Sequence, residues 1–189
     1  MAEEFLGDRR RALEDEFFRR QERELLQQLR STQEETSGQA ALASATGVSD
    51  SAVLHTLSTL GITPDTLLAL GLVPLVAVAW ADGALDARER QAIVSGLSAA
   101  GLAADSPAAQ LVHSWLSAPP PASLLAAWSS YTAALAAQLT PEERVHLRES
   151  VLGRARAVAE AAGGFLGFGS RISSAEETLL QQLATVFAA

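Results

Sequence analysis

The sequence predicts an all-α protein: a helical bundle with two pseudo-repeated helix-turn-helix hairpins, preceded by a charged amphipathic N-terminal helix. Three observations carry that prediction. Alanine and leucine dominate a chain that is 48% hydrophobic but only 5% aromatic, a mixture that favours helix over strand. Helix starts recur as a capping residue followed by proline, at Thr63-Pro64, Ser106-Pro107 and Thr140-Pro141. The segments between them end in glycine or proline, at Gly47, Gly61, Gly101 and Pro119-Pro120-Pro121.

Residues 1–35 form a segment unlike the rest. Seven arginines and many carboxylates crowd Asp8 to Glu35, and Leu13, Phe17, Phe18, Leu25, Leu26 and Leu29 fall mostly at helical spacing. A narrow apolar stripe on a charged helix cannot bury itself in water, so it must dock on the body, on a second copy or on a partner. Leu13, Phe17, Phe18, Leu25 and Leu29 are its candidate partner-binding residues. Acids match the arginines, which disfavours a basic membrane-surface helix. Ser37-Gly38 marks a linker or bend.

Residues 36–62 read as a small helical hairpin segment, a short helix turning at Gly47 and a second starting near Ser49 and closed by Gly61. A bundle over residues 63–189 follows. Its first helix starts at Thr63-Pro64 and continues through the apolar stretch to about Ala81, as a buried central helix. Asp82-Gly83 breaks it. Asp86 caps a helix to about Ala100, Ser106 one to about Leu116, Ser123 begins one to Leu139, and Thr140 begins one to about Ala162. The glycine-aromatic loop Gly163 to Gly169 leads to a last helix from Ser173 to the end of the chain. Phe165 and Phe168 of that loop are expected to plug the bundle.

Composition excludes several roles. A net charge of -8 argues against a general nucleic-acid binder. With no cysteine there is no disulfide framework, thiolate nucleophile or cysteine-based zinc site. The acidic N-terminus is no signal peptide, and the apolar run from Leu67 to Ala81 is short of the ~20 residues a membrane span needs. A cytoplasmic location follows as the expectation. His55, His113 and His146 are isolated, and no nucleotide loop or G-x-S-x-G is present, so no enzyme is expected.

The distinctive motif is the acidic junction Trp80-Ala81-Asp82-Gly83-Ala84-Leu85-Asp86-Ala87-Arg88-Glu89. It has two readings. Asp86-x-x-Glu89 is a capping box, and Ile172-Ser173-Ser174-Ala175-Glu176 echoes it later in the chain. Three carboxylates in so short a span would also suit a hard cation such as calcium or magnesium, although the spacing is not that of an EF-hand.

The stretch from Val76 to Ile93 resembles the signature of the TerB-like family, which includes tellurite-resistance TerB and the helical N-terminal region of a DnaJ-like co-chaperone. The resemblance covers about residues 64–189. It implies a bundle of two pseudo-repeated hairpins, each with an Ala-Asp-Gly turn followed by a glutamate, and divalent-metal binding at positions matching Asp82, Asp86, Glu89 and Glu176. The second turn departs from the pattern: Gly169 takes the place of the aspartate and Ser173 of the second acid. A second resemblance, of residues 43–57 to a repressor helix-turn-helix, lacks the side chains that read bases, since residues 40–62 contain neither lysine nor arginine.

The expected function is a non-enzymatic scaffold or adaptor in stress response, a homo-oligomer or protein-bound through its N-terminal helix, with no nucleic acid and no membrane span. The alternative is a divalent-cation-binding regulatory or sensor module of the tellurite-resistance type. A DNA-binding regulator is a distant third.

Overall fold

Alanine, leucine and well-placed caps yield helices throughout the described residues. In the computed structural model the backbone is described for residues 2–162 and 172–187, and the side chains for residues 20–21, 23–161 and 172–187. The helices are α1 (Ala2–Thr46), α2 (Ser51–Thr59), α3 (Val73–Ala79), α4 (Ala87–Ala99), α5 (Pro107–Ser117), α6 (Ala122–Ala136), α7 (Pro141–Ala162) and α8 (Ser174–Thr185), with a 3-10 helix at Leu67–Leu72. No strand occurs among the described residues, and no described helix is long and apolar enough to cross a membrane.

The chain divides into two units, Met1–Ala40 and Ala41–Ala189. The first is the greater part of α1. Every described residue from 20 to 38 in it is exposed. The expected bend at Ser37-Gly38 does not occur, because α1 runs through it. A glycine inside a helix costs only about 1 kcal/mol relative to alanine, too little to stop a run of helix-forming neighbours. Just upstream, the Thr36 hydroxyl donates to the carbonyl of Thr32 at 2.8 Å, which keeps a turn-former's hydroxyl inside the helical pattern.

The second unit is the bundle. α3 lies at its centre, with every residue from Val73 to Ala79 buried except half-buried Ala77. Seven residues are too few for a helix to persist alone. Burial holds it, each fully buried valine or leucine contributing about 1.5–3 kcal/mol. α7 packs against α3 and α4 with a stripe of Val151, Ala155, Val158 and Ala159, whose two alanines allow close approach. Leu42 at the end of α1 and Val48, Val53, Leu54 and Leu57 around α2 join the same core.

Three sequence expectations move. No helix starts at Pro64. Residues 63–66 form a turn in which the Thr66 hydroxyl accepts from the Thr63 N–H at 2.8 Å and donates to the Gly61 carbonyl at 2.9 Å. A 3-10 helix follows, and the α-helix begins only at Val73, because Pro74 has no N–H to extend a helix from behind but fits its first turn. α6 ends at Ala136 rather than Leu139, and α8 stops at Thr185. The loop Gly163 to Gly169, with Phe165 and Phe168, lies outside the described residues. The turn of the second expected hairpin lies there too.

Candidate functional site

The acidic junction is a tight turn followed by a capped helix start. Gly83 adopts φ 91°, a left-handed conformation that favours glycine, and its N–H donates to the Trp80 carbonyl at 3.0 Å. Asp82 Oδ1 accepts the Ala84 N–H at 3.1 Å across that glycine. Asp86 then caps α4, its Oδ1 accepting the Arg88 N–H at 2.7 Å, while Glu89 Oε2 reaches back to the Asp86 N–H at 2.9 Å. The start of α8 repeats the device. Ser173 Oγ accepts the Glu176 N–H at 3.2 Å, and Glu176 Oε2 accepts the Ser173 N–H at 2.6 Å.

What the sequence did not disclose is that these two capping glutamates meet. Glu89 and Glu176 are only 4% and 5% exposed, and their carboxyl groups hydrogen-bond to each other. Their burial has a simple cause. Glu89, Ile93 and Leu97 form the inward stripe of α4, and Glu176, Leu180 and Leu183 that of α8. A capping glutamate in register with a core stripe is carried into the core with it. That shared register was the available signal.

Two carboxylates in one buried place cannot both stay ionised cheaply. Burial pushes the Glu89 carboxyl up to about 7; the bond to Glu176, the charge of Glu176 and that of Asp82 push the same way, and the Asp86 N–H opposes them. Near neutral pH the Glu89 carboxyl is therefore still partly protonated, at the first turn of α4 beside that of α8.

Among the described residues no three histidine, cysteine, aspartate or glutamate side chains converge as ligands. Asp82 closes its turn, Asp86 caps α4, and both remain exposed, while Glu89 and Glu176 spend oxygens on backbone N–H groups and on each other. Hard cations require several oxygens free to point at one centre. Of the expected metal set, Asp82 thus closes a turn, Asp86 caps α4, and Glu89 and Glu176 return an oxygen to the backbone of their own caps.

Two further residues of this region escaped the sequence reading. Trp80 Nε1–H donates to the Trp115 carbonyl at 2.9 Å, and Arg90 Nη2 donates to the Leu116 carbonyl at 2.5 Å. Those carbonyls belong to the last turn of α5, which has no further helical N–H to offer them because Ala118 is extended before Pro119. The residues flanking the acidic turn thereby finish a third helix.

On α1, Leu25, Leu26 and Leu29 are 57%, 47% and 58% exposed, the exposed large apolar side chains among the described residues of the first unit. The side chains of Leu13, Phe17 and Phe18, which the sequence places on the same helix, lie outside the described residues. His55, His113 and His146 are all exposed and separate in sequence.

No protein-family model matches the chain, and no curated protein or solved structure matches it. The TerB-like resemblance rests on the junction motif itself.

Proposed function

We propose that this protein is a scaffold or adaptor that assembles through α1, its bundle serving as the body so joined. The observation that carries the reading is the exposed trio Leu25, Leu26 and Leu29 on a helix whose described residues are solvent-facing from 20 to 38. Large apolar side chains gathered on an exposed surface mark interaction sites, and a helix of this length in water gains most of its stability from what covers its apolar side. The tight, capped junction at Asp82 belongs to the body. Its motif adds a TerB-like relationship to the proposal, in which such bundles serve as stress-response modules.

The test compares the full chain with a variant carrying Leu25→Gln, Leu26→Gln and Leu29→Gln. Light scattering is expected to give a multiple of the monomer mass for the parent and the monomer mass for the variant, with unchanged helicity of the bundle. Equal masses for both would overturn assembly through this stripe.

A further inference from the structure

The order of charges along α1 selects the occupant of its apolar stripe. This step rests on the assembly reading above. Arg9-Arg10-Arg11 is followed by Glu14-Asp15-Glu16, then Arg19-Arg20, then Arg30, then Glu34-Glu35. The helix is continuous from Ala2 to Thr46, so each block has a fixed level along one axis. A parallel copy in register would set every block against its own kind. An antiparallel copy centred between Glu22 and Arg23 does the opposite. It brings Arg10 level with Glu35 of the copy, Arg11 with Glu34 and Asp15 with Arg30, and it brings no two like charges from Glu3 to Glu35 to the same level. The apolar residues obey the same register. Phe17 and Phe18 come level with Gln28 and Gln27 of the copy, between its Leu25-Leu26 and Leu29. The aromatic half of each stripe thereby comes level with the leucine half of the other.

We infer that α1 pairs with α1 of a second copy in the antiparallel sense, about a two-fold axis between Glu22 and Arg23. Flanking charges set orientation in paired helices because opposite charges attract weakly and like charges repel by similar amounts at many positions at once. A two-fold pairing uses each of these matches twice, which is why a pattern of modest contacts suffices to choose a direction.

The chain contains no cysteine, so a single Gln33→Cys in the full chain can carry one nitroxide. Gln33 comes level with Ala12 of an antiparallel copy, so the two labels are expected roughly 30 Å apart along the helix axis at 1.5 Å per residue. In a parallel pair they would lie about 10 Å apart, the spacing of packed helices. A dimeric mass by light scattering with the long distance supports the pairing. A dimeric mass with the short distance overturns the antiparallel register and leaves assembly through α1 standing. A monomeric mass overturns both. Charge exchange gives a second readout: Arg10→Glu with Arg11→Glu is expected to weaken the dimer by about tenfold or more. Adding Glu34→Arg with Glu35→Arg to the same chain is expected to restore it. Absence of restoration would overturn the register.

Discussion

Glu89 and Glu143 occupy the same place in the same motif, and their environments drive them in opposite directions. Each is the third helical residue after a capping residue, Asp86 in one case and Thr140 in the other, and each returns a carboxylate oxygen to the backbone N–H of its cap at 2.9 Å. Glu143 lies on the surface at the start of α7 and also accepts from the Thr140 hydroxyl at 2.9 Å, and those two bonds hold its carboxyl below the usual carboxylate range. Glu89 lies in the core beside Glu176, where burial lifts its carboxyl to about 7 despite the identical backbone bond. A capping hydrogen bond therefore sets the geometry of a helix start, while solvent and neighbouring charge set its protonation.

Removing the neighbour is the strongest way to break this contrast. Glu176→Ala strands the Ser173 N–H and deprives Glu89 of its carboxyl partner. The expected loss is about 3 kcal/mol at pH 5, read from urea unfolding. With two of the causes of its shift gone, Glu89 is expected to titrate closer to Glu143, as carbon-detected NMR of the carboxyl would report. A Glu89 still titrating near 7 would show that burial alone suffices.

The second expected effect concerns pH. Because the Glu89 carboxyl is raised in the folded state, the fold binds more protons than the unfolded chain between about 4.5 and 7. The stability this group contributes is complete below its unfolded value and is lost as pH rises through about 7. Glu89→Gln keeps an acceptor for Asp86 and a donor for Glu176 but does not titrate. Its stability relative to the parent is expected to improve by about 2 kcal/mol between pH 5 and pH 8. A constant difference across that range would remove the raised Glu89 carboxyl from the account.

The smallest effect is at the surface cap and has the opposite sign. Glu143 contributes above its unfolded value, and that contribution fades as pH falls through its lowered folded value. Glu143→Gln is expected to change the thermal midpoint slightly at pH 7 and not at all at strongly acid pH. A change that grew with acidification would contradict the hydrogen bonds described.

The helical fold was legible because caps, prolines and glycines act locally. Ser106-Pro107, Thr140-Pro141 and Ser173 mark starts that the structure confirms within a residue or so. The start at Thr63-Pro64 was misplaced because a second proline, Pro74, lies within the same apolar run, and the one that opens an α-helix is chosen by packing around α3. Ser37-Gly38 misled for the reverse reason: turn-forming residues bend a chain only where their cost exceeds the helix's own cooperativity. The capping boxes that start α4 and α8 were legible as such. Their meeting was not, because contact between α4 and α8 depends on how the helices between them pack, and no local pattern encodes it. The stripe of α1 was read from spacing, and the structure shows Leu25 and Leu29 of it facing solvent.

The pairing of Glu89 with Glu176 has a consequence for how the bundle breathes. Each glutamate is a fastening for the first turn of its own helix and, through its neighbour, for the first turn of the other. Fraying α4 at Asp86 would take Glu89 from Glu176 and leave a buried carboxyl without its partner, and fraying α8 would do the same to Glu89. Two helix ends remote in the chain are thereby expected to open together, with the amide hydrogens of Asp86 and Ser173 exchanging with solvent at matched rates.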